Sequence, residues 1–406
     1  MTDSSAPRVT SLYIHVPFCA QKCAYCAFYS EASSGELVNR YVAALLRDME
    51  IVADDLKPIT IFFGGGTPSI LSLRQWEKIL RAMEKLNLLG GGEFTVECNP
   101  ATVSADKAKL FRDFGVNRIS MGVQSLDEQL LDRLGRIHSR EQVFKSFDIL
   151  RHAGFDNLNL DLMFAIPTQT MDVWRDTLNE AMAMQSEHLS SYEVIYEDDT
   201  PLFAQMKAGE FSVDENLACE MYDELISSAT RAGFRQYEIA NFARSQSTVH
   251  SPQSTPVGRP AGDSGLRTED IPFFACKHNV NYWRGGSFYG LGPSATGYVR
   301  GVRTKNWPNT QLYCEQLENG NRAIESTEEL PPLRRAGETA AFGLRMVAGW
   351  PFEDFRNVTN FDLRREWDSE MHQLAERGWG EISADHFQLT KAGLRFADSA
   401  AELFLR

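Results

Sequence analysis

The chain has 406 residues and a formal charge of −14, from 41 Lys plus Arg against 55 Asp plus Glu. That length predicts two or three domains with a full core, and the acidic balance would repel a phosphate backbone, so no nucleic-acid partner is expected. No run of about 18 apolar residues occurs and residues 1–7 lack the pattern of a secretory leader, so neither a membrane span nor export is expected. Seven cysteines, three packed together and Cys98, Cys219, Cys276 and Cys314 scattered, do not read as a disulfide framework. They fit a reducing, cytoplasmic compartment.

In the first half, short β-branched runs at 12–16, 59–63, 94–98, 118–123, 158–163 and 190–195 are the predicted strands. Helical periodicity follows each, at 37–52, 73–86, 105–114, 128–134 with 140–152, 171–184 and 215–232. Six βα units in series predict an α/β fold with a parallel sheet and right-handed crossovers, closed or partly closed into a barrel.

Directly after the first strand stand Cys19, Cys23 and Cys26, in the frame C-x3-C-x2-C with Tyr25 before the third. Three thiolates on one loop can hold three irons of a [4Fe–4S] cluster and leave the fourth iron open to a substrate or cofactor. The same spacing allows a zinc knuckle or a redox pair of Cys23 and Cys26. A zinc knuckle needs a further ligand, and the position two after Cys26 is Phe28; the redox pair leaves Cys19 unexplained.

Further unusual residues recur at the strand ends. Gly64-Gly65-Gly66-Thr67-Pro68 follows the second strand, Glu97 ends the third, Gln124 follows the fourth and Asp161 lies in the fifth. Each alone has an ordinary explanation, such as a tight turn or a solvated carboxylate. Their common register does not, because the C-terminal strand ends of a barrel converge on one mouth where active sites are built. Lacking Cβ atoms, the glycines let backbone N–H groups approach a ligand there.

Residues 1–243 are thus one expected domain, ending in a strand-like piece at 236–242. Residues 244–272, rich in Ser, Pro, Thr and Gly, are expected to be a disordered insertion. A connecting segment at 273–325 carries His278-Asn279-Val280-Asn281-Tyr282-Trp283 and a Gly-rich stretch. A neutral imidazole can ligate haem iron while Tyr and Trp cover the macrocycle, and a packed core histidine is the other reading. Residues 326–406 show helices at 333–346 and 364–377, short strands at 380–382 and 387–390, and a helix at 391–403. That order predicts an α+β, winged-helix-like domain, whose acidic helices favour a lid or docking module over a DNA reader.

The string Tyr13-Ile14-His15-Val16-Pro17-Phe18-Cys19, with the two further cysteines, resembles the radical S-adenosylmethionine (SAM) superfamily in its coproporphyrinogen III oxidase-like branch. The resemblance implies a partial (β/α)6, TIM-like barrel in which SAM chelates the open iron and is cleaved to a deoxyadenosyl radical. It implies SAM contacts from Tyr13, Tyr25, Gly65, Gly66, Thr67, Glu97, Gln124 and Asp161. It implies a further contact from Arg136 in Leu134-Gly135-Arg136-Ile137-His138-Ser139, whose guanidinium can fork onto a carboxylate. The His278–Trp283 string resembles the signature of the HemW-type haem chaperones, which implies haem as cargo, bound through His278. It also implies haem-requiring acceptor proteins, membrane-bound ones among them, and allows a homodimer. Oxygen-independent coproporphyrinogen III dehydrogenases carry a fourth cysteine where this chain has Phe28, so the resemblance favours the chaperone and leaves enzymatic turnover open. It covers residues 11–243 and 276–403.

Overall fold

The structure, a computed structural model, describes residues 7–32, 35–245 and 271–405. The expected disordered insertion at 244–272 lies, from 246 to 270, outside the described residues. The chain forms two compact units, one drawn from Met1–Ser186, Ser191–Glu224 and Ser287–Glu329, the other from Glu187–Ser190, Leu225–Gly286 and Leu330–Arg406. These divisions fall elsewhere than the sequence boundaries at 243, 272 and 325, because both units are assembled from separated stretches of chain.

In the first unit, strands β1 (Val9–Val16), β2 (Leu56–Gly65), β3 (Glu93–Cys98), β4 (Arg118–Gln124) and β5 (Leu158–Phe164) lie side by side, all parallel. The sixth, β6 (His188–Glu193), enters this unit at Ser191. The expected partial (β/α)6 barrel is present, with strand ends shifted by up to three residues from the sequence reading. The strands are buried along most of their length, as a parallel sheet faced by helices requires. The helix Leu73–Lys85 shows how its layer forms. Ser72 and Gln75 cap its start reciprocally, and Trp76, Ile79, Leu80 and Met83 form one buried stripe. Trp76 packs on Phe63 of β2 at 4.9 Å and on Phe111 of the next helix at 4.8 Å.

Periodicity does not reveal the far edge of this sheet. Tyr289–Leu291 pairs in parallel with β1, and Thr296–Val299, Val302–Asn306 and Ile324–Glu329 form an antiparallel meander. The helix Thr310–Glu318 reaches the helix Gly35–Val52, where the Tyr313 hydroxyl donates to buried Asp48 at 2.8 Å.

In the second unit, the expected strand at 236–242 is a hairpin, Arg235–Glu238 with Asn241–Ala243. The Glu238 carboxylate closes its turn by accepting from the Ala240 N–H at 3.1 Å and the Asn241 amide at 2.6 Å. The C-terminal domain has the winged-helix-like order of helices around a three-stranded sheet, over a core containing Trp350, Phe355, Trp367, Phe387 and Phe404. Its last helix is not continuous. Phe396 leaves helical geometry (φ −115°, ψ 30°) and splits it into Lys391–Arg395 and Ala397–Glu402.

Candidate functional site

A cavity of about 720 Å³ opens at the C-terminal ends of the barrel strands, within the first unit. Cys19, Cys23, Tyr25, Cys26, Gly65, Gly66, Thr67, Glu97, Gln124, Arg136 and Asp161 all line it, so residues spread over some 140 positions meet in one place. Two predicted site residues do not. Tyr13 sits one layer behind, its hydroxyl 3.1 Å from His15 Nδ1, and His278 belongs to the second unit.

The cysteine loop is fixed at its middle by backbone bonds. The Ala24 N–H donates to the Leu134 carbonyl, and the Ala24 carbonyl accepts from the Leu202 N–H, both at 2.9 Å. Cys19, Cys23 and Cys26 are free thiols, each partly exposed. Cys19 Sγ lies 3.5 Å from Thr67 Oγ1, and Cys26 Sγ accepts from the Phe28 N–H. Among the described residues no three metal-ligating side chains converge on a single-ion position. A [4Fe–4S] cluster asks instead for thiolates at separate corners, and an all-thiol set around one cavity fits it. For SAM, the fit rests on Arg136. Its Nη1 donates to Cys23 Sγ at 3.4 Å and its Nη2 to the Gly122 carbonyl at 2.6 Å, while its buried Nε has no partner. A guanidinium carries more N–H donors than the bonds to Cys23, Gly122 and Tyr25 use, and Arg136 lines the cavity where a ligand carboxylate would meet them.

The glycine turn works differently from the sequence expectation. The Gly65 N–H donates to the Glu97 carboxyl, the Gly66 N–H to the Val16 carbonyl and the Thr67 N–H to the Phe18 carbonyl, the last two at 2.8 Å. These donors tie β2 to the root of the cysteine loop and do not wait for a ligand. The lack of side chains serves the same contact. Gly65 has φ +104°, and a Cβ there would lie 2.6 Å from the His15 ring; one on Gly66 would lie 2.7 Å from the Phe18 carbonyl oxygen.

Two carboxyl groups face the floor. Burial, and secondarily the charge of Asp161, pushes the Glu97 carboxyl up to about 8, so it is largely protonated at neutral pH. Asp161 accepts from Ser120 Oγ at 3.0 Å and Asn159 Nδ2 at 2.8 Å. The pair offers a hydrogen-bond donor beside an acceptor. Gln124 takes the left-handed conformation (φ 66°) at a register shift between β4 and β5, which turns it out of the strand. Behind it, buried His138 holds the Val123 carbonyl at 3.1 Å; burial and then Arg136 lower its pKa to about 4, so its ring is neutral.

Sequence reading did not single out Ile137, Tyr192 and Ile195 as cavity residues, although they line this cavity with Phe28. Tyr192 and Ile195 lie at the end of the sixth strand, where the register argument used for the other five could have found them.

His278 is the second residue of the helix Lys277–Trp283 and is 1% exposed. Its Nε2 lies 2.6 Å from the Tyr282 hydroxyl, with the rings edge-on at 4.7 Å, and Arg345 covers Trp283 at 4.9 Å. No helix among the described residues is long and apolar enough to cross a membrane.

Comparison with known proteins gives two family matches: the radical SAM superfamily over residues 13–181 and the HemN C-terminal domain over residues 330–396. The chain is 32% identical to the heme chaperone HemW of Bacillus subtilis, over 97% of this chain and 99% of that one. It is also 32% identical to the heme chaperone HemW of Escherichia coli, over 97% and 98% respectively. The mitochondrial radical S-adenosyl methionine domain-containing protein 1 of Mus musculus is 33% identical over 73% of this chain and 62% of its own length. Among solved structures, coproporphyrinogen III oxidase (HemN) from Escherichia coli, a radical SAM enzyme, matches with a TM-score of 0.79. That match covers 98% of this chain and 90% of that one at 19% identity, a likeness of fold.

Proposed function

The chain belongs to the HemW family of the radical SAM superfamily, and on that premise we propose that it is a haem chaperone. In this reading it holds a [4Fe–4S] cluster and SAM at the barrel mouth, binds haem, and passes the haem to haem-requiring acceptor proteins of the cytoplasm or its membrane. Cys19, Cys23 and Cys26 would hold the cluster, which when bound supplies one electron and an open iron. Arg136 would take the SAM carboxylate through the guanidinium N–H groups its protein bonds do not use, with Glu97 and Asp161 facing the cationic part of the ligand. Tyr25, Gly65, Gly66, Thr67 and Gln124 would complete the wall, and Tyr13 would act from behind through His15. The observation that carries the reading is the meeting of three free thiols, a buried guanidinium and a carboxyl pair in one cavity, in a chain with HemW-like sequence along its length.

The second reading is an oxygen-independent coproporphyrinogen III dehydrogenase, favoured by the fold likeness. Against it, the aromatic Phe28 stands at the cavity where that reading requires a fourth thiol. Anaerobic reconstitution, followed by haem binding, haem transfer and coproporphyrinogen decarboxylation on one preparation, separates the two. Haem binding and transfer without carbon dioxide release is the expected result; decarboxylation over many turnovers overturns it.

A role for His278 as haem ligand requires its bond to Tyr282 to open, since the ring is otherwise enclosed. His278→Ala should then alter the Soret band and leave iron and sulfide content unchanged. An unaltered spectrum in a folded variant removes His278 from the haem site.

A further inference from the structure

Large apolar side chains left in water are informative when they cluster at a cavity. Phe28 is 70% exposed and Ile195 67%, and among the described residues only Phe273 is comparably exposed. Both line the cavity at the barrel mouth, as do Ile137 at 43% and Tyr192 at 42%. Four exposed apolar side chains from three separate stretches of chain therefore stand around a cavity whose floor is polar. Phe28 contributes its backbone N–H to Cys26 Sγ while its ring remains exposed, and the loops are held by Ala24, Leu134 and Leu202.

We propose that this rim is the haem-receiving surface, Phe28, Ile137, Tyr192 and Ile195 contacting the macrocycle as it caps the cavity. The proposal deepens the haem-chaperone reading and rests on it. Three features select a porphyrin over a protein segment. The rim borders a concave opening, whereas a stable protein interface needs about 800 Å² of surface per partner. The rim is apolar above a polar floor, which suits a ligand with wide apolar faces and carboxylates confined to one edge. The charges at the cavity are also unequal in sign. Lys22 attracts the propionates, while Glu193 and Glu197 repel them, so a dianionic macrocycle has a preferred orientation.

The test is anaerobic titration of ferric haem, and separately of iron-free protoporphyrin IX, into the reconstituted full chain and its Phe28→Ser/Ile195→Ser variant. Both substitutions replace exposed side chains, so thermal stability and iron and sulfide content should match the parent protein. Affinity for both porphyrins should fall about tenfold or more, because apolar contact with the macrocycle is lost whether or not iron is present. A loss smaller than about fivefold for both, with the parent protein binding haem normally, overturns the rim proposal and leaves the chaperone reading standing. A loss for haem alone also overturns it, by locating the affinity at the iron. Failure of the parent protein to bind haem at all removes both. Light scattering on the same samples supplies the remaining arm. If the variant turns a dimer into a monomer and retains haem affinity, the rim is a self-association face and the proposal falls.

Discussion

Arg136 and Cys23 are hydrogen-bonded partners, Nη1 to Sγ at 3.4 Å, although 113 residues separate them in sequence. The bond places a fixed cation against the cysteine loop, and Tyr25 joins it by bonding to both groups. A second donation from Arg136 to the Gly122 carbonyl holds the guanidinium plane, and the guanidinium N–H groups that these bonds do not use are left for a ligand.

Arg136→Met keeps the aliphatic stem and removes the fork. Loss of a charge-assisted contact should weaken SAM binding by about 1.5–3 kcal/mol, roughly tenfold or more. Calorimetric titration of SAM into the reconstituted variant checks this, with unchanged iron content showing that the cysteine loop survives. Undiminished SAM affinity would place the ligand carboxylate elsewhere.

Glu97 makes the cofactor-free protein sensitive to pH in a definite direction. Its folded-state pKa, about 8, lies above the ordinary glutamate value, so the folded state binds the proton more tightly than the unfolded chain. The stability this contributes is complete below the unfolded pKa and is lost as pH rises through about 8. The melting temperature of the apoprotein should therefore fall between pH 5 and about 8.5, and Glu97→Gln should reduce that fall by keeping the site neutral. Parallel pH profiles for parent and variant would show Glu97 to be ionised in the fold.

Gly65→Ala should be far more damaging than an exposed glycine substitution. It combines a φ of +104° with a Cβ 2.6 Å from the His15 ring, and each problem alone costs about 1–3 kcal/mol. Gly209, also at positive φ but with nothing within 4 Å, is the control that separates backbone strain from the clash. Chemical denaturation of the two alanine variants should show Gly65→Ala to be the less stable.

The sequence by itself determined the alternation of strands and helices, the cysteine frame, the placing of Glu97, Gln124 and Asp161 on three successive strands, and the winged-helix-like order of the C-terminal domain. All of these are carried by local period and spacing, and strand register translates them directly into a shared mouth. The tertiary structure decided what each group does there. The glycine-turn donors are spent on Val16, Phe18 and Glu97, Glu97 is held protonated, His278 is enclosed against Tyr282, and Phe28 and Ile195 are left in water. The return of Tyr289–Leu291 to the edge of β1 likewise has no local signature. Desolvation, hydrogen-bond partnership and exposure are set by residues that fold together from distant parts of the chain, and the spacing of neighbours along the sequence does not encode them.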